Sequence, residues 1–306
     1  MGIELTVIRA QRMGMCFGVR DAIEYAEQTA AREPVTVLGQ LVHNRAVLRD
    51  LKKRGVQFAH DLNEVKTDSV MVTAHGAAAR RKSEIVRQGF ELRDSTCPLV
   101  KSAHDRLQQL VSKGYFPLVI GQAQHVEVQG MTGDLEEHRV VLTLEDVEDL
   151  PQQKRYGIVS QTTQPIEHVR SLVRAVKDKF PQAEVRFEDT VCKPTKNRQT
   201  AAVALAKTVD VVVVVGGINS NNTHQLVKRC AQYCTRVHHV QNGRGVRREW
   251  FVDGDRVGLT AGTSTPESSV EEVESAIQGL NDVRPPIRRG VSGRDRRAPV
   301  AWSGRG

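Results

Sequence analysis

Three of the five cysteines, Cys16, Cys97 and Cys192, lie 81 and 95 positions apart, each between a run of β-forming residues and a run of helical period. The stretches are "LTVIRAQRMGMCFGVRDAIEYA", "FELRDSTCPLVKSAHDRLQQLV" and "EVRFEDTVCKPTKNRQTAAVALA". A cysteine at the mouth of a helix meets free backbone N–H groups and the positive end of the helix dipole, which favour the thiolate that binds metal. Three such ligands from distant segments leave a fourth metal position open, the arrangement of a catalytic rather than a closed structural site. Zinc and an iron–sulfur cluster both suit this set, and spacing does not separate them. Cys230 and Cys234, four apart in a helical stretch and outside the pattern, read as packing residues.

The segments that position these cysteines repeat. After each cysteine unit comes a strand running into a polar loop: "VTVLGQLVHNRAVL", "PLVIGQAQHVEVQGM" and "VVVVVGGINSNNTHQL". A third type follows: "SVMVTAHGAAARRKSEIV", "YGIVSQTTQPIEHVRSLV" and "RVGLTAGTSTPESSVEEV". The distance from cysteine to second loop is 27 positions for His43, 28 for His125 and 27 for Asn219. Alternating β and α segments predict an α/β protein with mostly parallel sheets, and a threefold internal repeat predicts three small domains, each of three strand–loop–helix units, about a pseudo-threefold axis. The expected division is a first strand within 1–15 that packs with the third domain, then domains at 16–96, 97–191 and 192–283, and a disordered basic tail at 284–306.

Ligands of open parallel sheets collect beyond the carboxyl ends of the strands, where helix N-termini point. The loops at that end carry His43, His75, His125, Glu127, Thr162, Ser220, Asn222 and Ser264, together with glycines. Imidazoles, hydroxyls and helix N-termini without a Lys or Arg pocket suit a small phosphorylated anion. Glu127 is the one carboxylate in these loop cores and could carry a proton to a reacting group.

Composition narrows the function classes. The formal net charge of +8 is concentrated in 284–306, which holds seven Arg against one Asp, so the remainder is only slightly basic. With aromatics at 4%, stacking platforms are scarce, and nucleic-acid binding is not expected as a main function. No apolar run approaches the roughly 20 residues that span a bilayer, and "MGIELTVIRA" lacks a secretory pattern. A cytoplasmic setting with reduced thiols is expected.

Taken in order, "GMCFGV", "LVHNR", "AHG", "DSTCPLV", "HVEVQG", "SQTT", "DTVC" with "NRQ", "INSNN" and "TAGTSTP" closely resemble the 4-hydroxy-3-methylbut-2-enyl diphosphate reductase (LytB, or IspH) family, from about residue 5 to residue 281. The resemblance implies a three-domain α/β fold around a 4Fe-4S cluster held by Cys16, Cys97 and Cys192, with the fourth iron free for the substrate's hydroxyl. It implies that the diphosphate is held by His43, His75, His125, Ser220, Asn222 and Ser264, that Glu127 and Thr162 handle the proton and Thr162 also meets substrate, and that ferredoxin or flavodoxin supplies electrons. Asn221, where Ser is frequent in the family, is carried as a further substrate contact. Val126 stands where Pro is common between His and Glu, and Gln124 where Gly is common. These departures leave His125 and Glu127 in place.

Overall fold

The plainest strand is Val211–Val215, five consecutive valines, all buried on both faces as expected of a central parallel strand. The computed structural model describes residues 3–281, so the tail at 284–306 lies outside the described residues. In chain order the strands are β1 (Thr6–Arg9), β2 (Val35–Leu38), β3 (Gln57–Ala59), β4 (Ser69–Val72), β5 (Glu91–Asp94), β6 (Phe116–Ile120), β7 (Arg139–Val141), β8 (Arg155–Ser160), β9 (Glu184–Phe187), β10 (Val211–Val215), β11 (Val237–Val240) and β12 (Arg256–Ala261). They form three four-stranded sheets, ordered β3-β2-β4-β5, β7-β6-β8-β9 and β11-β10-β12-β1. Every pairing among them is parallel. The order is the same three times.

Each sheet therefore has one strand more than the three units counted in the sequence. The additions are β3, β7 and β11, short edge strands reading "QFA", "RVV" and "VHHV", too brief to show a period.

The helices are α1 (Phe17–Ala30), α2 (Arg45–Lys53), α3 (Ala79–Arg87), α4 (Pro98–Ser112), α5 (Val126–Thr132), α6 (Leu144–Glu148), α7 (Ile166–Lys179), α8 (Lys193–Ala206), α9 (Asn221–Cys230) and α10 (Glu267–Gln278). None is long and apolar enough to cross a membrane. Three of them pass from one sheet to the next. After β1, in the third sheet, α1 packs Ala22 and Ala26 against Val35 and Val37 of the first. After β5, α4 packs Ala103, Leu107 and Leu110 against Val119 and Val159 of the second. After β9, α8 packs Ala202 and Ala206 against Val212 and Val214 of the third. Cys16, Cys97 and Cys192 are the residues at these three crossings, so each sits where two lobes meet.

Candidate active site

The backbone repeats around the three cysteines. Each is the N-cap of its helix, α1, α4 or α8. Each donates its N–H to a carbonyl of the loop that follows the third-type strand of the preceding lobe: Cys97 to Ala74 at 3.0 Å, Cys192 to Thr162 at 3.0 Å and Cys16 to Thr263 at 2.9 Å. One local geometry, repeated about the axis, turns all three thiols into a single cavity that also holds His43, His75, His125, Glu127, Thr162, Ser220, Asn221, Asn222 and Ser264. Every candidate residue read from the sequence thus lines one space.

Burial changes the thiol chemistry expected at a helix N-terminus. It pushes Cys97 up, and Cys192 to about 11, although backbone N–H groups at Leu99 and Val100, and the backbone and hydroxyl of Thr195, oppose the rise. Desolvation outweighs the helix end here, so a bound cation has to supply what ionises these thiols. The expectation of helix-stabilised thiolates is corrected accordingly for these two. Cys230 and Cys234 are buried in the core against Leu226 and Val212.

The three imidazoles meet although they come from three different loops. His43 stacks on His75 with ring centroids 4.3 Å apart, and His125 stands edge-on to them at 5.2 and 5.6 Å. Gly76 has φ +78°, so the chain turns away directly after His75 in a conformation that costs glycine little. Burial lowers all three, His75 well below the ordinary value with help from its two neighbours and His125 to about 4, so the cluster is neutral at pH 7. His125 caps α5, its Nδ1 accepting the Glu127 N–H at 3.1 Å. The proton of the neutral ring is thereby assigned to Nε2, a donor. The Nε2 atom of His43 and both amide atoms of Asn222 are buried without a protein partner. Buried polar groups are normally satisfied, so these three atoms mark where an anionic, hydrogen-bonding ligand belongs.

Glu127 is 1% exposed, on the first turn of α5. Thr162 grips its carboxyl twice, donating from its N–H to Oε1 at 2.6 Å and from its hydroxyl to Oε2 at 3.0 Å. Burial raises the carboxyl to about 7 against these two bonds, poising it between acid and base at physiological pH. Val126 occupies the first position of α5, where proline is tolerated for want of any need of an N–H. Valine there keeps the helix start, and with it the placement of His125 and Glu127.

Several braces are tertiary. The first lobe touches the third where a Cβ on Gly217 would fall 2.4 Å from the His43 carbonyl, and where the Ser264 hydroxyl donates to that carbonyl at 3.3 Å. Both ends of the Asn221 amide are engaged by the second lobe, accepting from Gln122 at 3.1 Å and donating to Thr163 at 3.0 Å. Asn221 lines the cavity while joining two lobes. Arg198 of "NRQ" donates to the carbonyls of Gly14, Met15 and Pro194 at 2.8, 3.0 and 3.1 Å, tying α8 to the loop that carries Cys16. Its place in a quoted motif was visible in the sequence; its partners Gly14 and Met15, more than 180 positions away, were not.

Among the described residues, no three His, Cys, Asp or Glu side chains are arranged to hold a single metal ion. Three cysteines from separate helices around one cavity are a donor set that fits a polynuclear centre, one sulfur to each metal. A Cβ on Gly18 would fall 2.3 Å from Cys97 Sγ, so glycine is what lets α1 pass this close to that thiol.

A family model described as LytB protein matches residues 7–278. The 4-hydroxy-3-methylbut-2-enyl diphosphate reductase of Geobacter metallireducens is 36% identical over 282 residues, 92% of this chain and 99% of its own. That of Methylibium petroleiphilum is 37% identical over 285 residues, 90% of this chain and 86% of its own. Among solved structures, the E-1-hydroxy-2-methyl-but-2-enyl-4-diphosphate reductase of Plasmodium falciparum is similar with a TM-score of 0.85 and 28% identity, over 92% of this chain and 90% of that one. A structure of (E)-4-hydroxy-3-methyl-but-2-enyl diphosphate reductase, the terminal enzyme of the non-mevalonate pathway, is similar with a TM-score of 0.66 and 34% identity, over 90% and 100% of the two chains.

Proposed function

The chain belongs to the LytB family, and on that premise we propose that it is a 4-hydroxy-3-methylbut-2-enyl diphosphate reductase acting in the last step of the non-mevalonate route to isoprenoids. The reaction takes one substrate, two electrons and two protons. It breaks the C–O bond of the allylic alcohol, releases the oxygen as water, and leaves isopentenyl or dimethylallyl diphosphate according to which end of the allylic unit gains the second proton.

Cys16, Cys97 and Cys192 are the residues proposed to hold a 4Fe-4S cluster. Bound there, the cluster supplies electrons one at a time and an iron with an open position as a Lewis acid. The chain's own groups do the rest. His43, His75 and His125 present neutral N–H donors, and Ser220, Ser264 and Asn222 add hydroxyl and amide hydrogen bonds to the diphosphate. Neutral donors bind the anion by directed hydrogen bonds, and its charge favours protonation of the imidazoles, strengthening the grip. Glu127 delivers a proton, and Thr162 keeps its carboxyl aimed at the cavity. Asn221 contributes by holding the second and third lobes together at the cavity wall. Closed lobes exclude water from the reacting carbon.

The observation that carries this reading is the meeting of three helix-capping thiols, three clustered imidazoles and a buried carboxyl in one cavity. Anaerobic purification with iron and sulfide analysis and electron paramagnetic resonance tests it, followed by reduction of the hydroxymethylbutenyl diphosphate with dithionite and a viologen. The expected result is about four irons per chain and release of both five-carbon diphosphates. A protein that takes up only zinc, or that leaves the substrate untouched, overturns the reading.

A further inference from the structure

Outside the substrate cavity a second opening reaches the same thiol. A surface groove of about 550 Å³ runs along the N-terminal turns of α1 and α8, and its wall includes Arg12, Cys16, Phe17, Arg20, Lys193 and Arg198. Cys16 and Leu99 line both this groove and the inner cavity, so the two spaces share these side chains as a wall. The lining holds four cationic side chains and no carboxylate. Among the described residues Arg12 and Lys193 form no ion pair, and Arg20 has only Glu24, at 4.0 Å and exposed. Arg198 satisfies its guanidinium on backbone carbonyls, so its charge is not cancelled by an acid. Phe17 of the lining is 39% exposed, a large apolar side chain directly after the cysteine.

An exposed aromatic in a lining that carries cations and no carboxylate is the composition of a protein docking patch rather than of a small-molecule pocket. Its charge selects an acidic partner, and two copies meeting groove to groove would oppose like charges. We infer that this groove is the docking surface of a small acidic one-electron carrier protein, which passes electrons inward by way of Cys16. The inference rests on the reductase reading for its purpose: two carriers, each giving up one electron and leaving oxidised, supply the two electrons consumed per turnover. None of the three cavity histidines lines this groove, so entry of electrons here leaves them free for substrate.

The test uses the holoenzyme under anaerobic conditions with an acidic plant-type ferredoxin and an acidic flavodoxin as probes. Affinity is read by biolayer interferometry at low and moderate salt, and the second-order rate of electron transfer by stopped flow. Arg12→Glu, Arg20→Glu and Lys193→Glu combined should weaken binding at least tenfold, slow carrier-driven reduction to the same extent and abolish the salt dependence, with iron content and dithionite-driven turnover unchanged. The gentler pair Arg12→Gln and Arg20→Gln should give a smaller loss in the same direction, and Arg247→Glu with Arg248→Glu, elsewhere on the third lobe, none. Unchanged affinity in both groove variants, or equal weakening by the third-lobe pair, overturns the docking surface. Absent dithionite-driven turnover in the unsubstituted protein overturns the reductase reading instead, while the affinities still decide the surface.

Discussion

Replacing Gly18 with alanine isolates the cysteine geometry without touching a cysteine. The new methyl would lie 2.3 Å from Cys97 Sγ and 3.2 Å from its Cβ. Non-bonded heavy atoms rest about 3.5–4.0 Å apart, so the sulfur has to retreat by more than about 1 Å. Without metal the relief is cheap: a χ1 change at Cys97 costs no more than about 1.5 kcal/mol, and general overpacking about 1–3 kcal/mol. With metal it is not, because ligand positions tolerate only about 0.2 Å. Gly18→Ala should therefore fold with a metal-free melting temperature within a few degrees of the parent while failing to retain iron on anaerobic reconstitution. Circular dichroism melts, iron and sulfide content, and the visible charge-transfer band measure both halves. Cys230→Ala is the control, expected to lower the melting temperature by opening the core yet reconstitute in full. A Gly18→Ala protein that holds as much iron as the parent would refute the placement of Cys97 as a ligand.

Glu127→Gln should keep iron and substrate affinity but lose about 10²- to 10⁴-fold in kcat, as expected for removal of a positioned acid. Because burial holds this carboxyl protonated up to about pH 7, kcat/KM of the parent should fall as pH rises through that value, and the residual activity of the variant should lack that limb. The linked stability has the same sign: the folded value lies above the ordinary 4.5, so metal-free parent protein should lose stability between pH 4.5 and about 7, a slope the Gln variant lacks. The histidines act oppositely on ligand binding. Their lowered values mean protons are taken up when an anion arrives, so inorganic pyrophosphate should bind more tightly as pH falls from 8 to 6, with calorimetric heats that depend on buffer ionisation; pH-independent binding would count against the imidazole cluster as the anion site. Asp134, from the second lobe, caps α3 of the first by accepting from Ala79 N and Arg80 N at 2.5 and 2.9 Å. Asp134→Ala should cost about 1–2 kcal/mol in denaturant unfolding and Asp134→Asn less; equal losses would assign the effect to charge rather than to the cap.

Much of the architecture was legible because it is periodic. The thrice-repeated strand–cysteine–helix unit and the near-constant 27-residue step to the second loop arise from one local geometry, and local geometry is written in contiguous residues. The same logic placed His43, His75 and His125 at strand ends. The edge strands β3, β7 and β11 escaped it, since three or four residues at a sheet margin need neither alternation nor a continuous apolar run.

The chemistry of the site was decided elsewhere. Residue types alone suggested thiolates at Cys97 and Cys192, and burial reversed that expectation, because desolvation depends on what the other lobes cover. The pairing of Glu127 with Thr162, the bond of Asn221 to Gln122 and Thr163, and the reach of Arg198 to Gly14 and Met15 join residues whose separation in sequence says nothing of their separation in space. Sequence by itself determined which residues would stand at strand ends and helix mouths, since backbone hydrogen bonding is local. Closure of three lobes on one axis decided which of them touch, how far they are desolvated, and that one cysteine faces both an inner cavity and an outer groove.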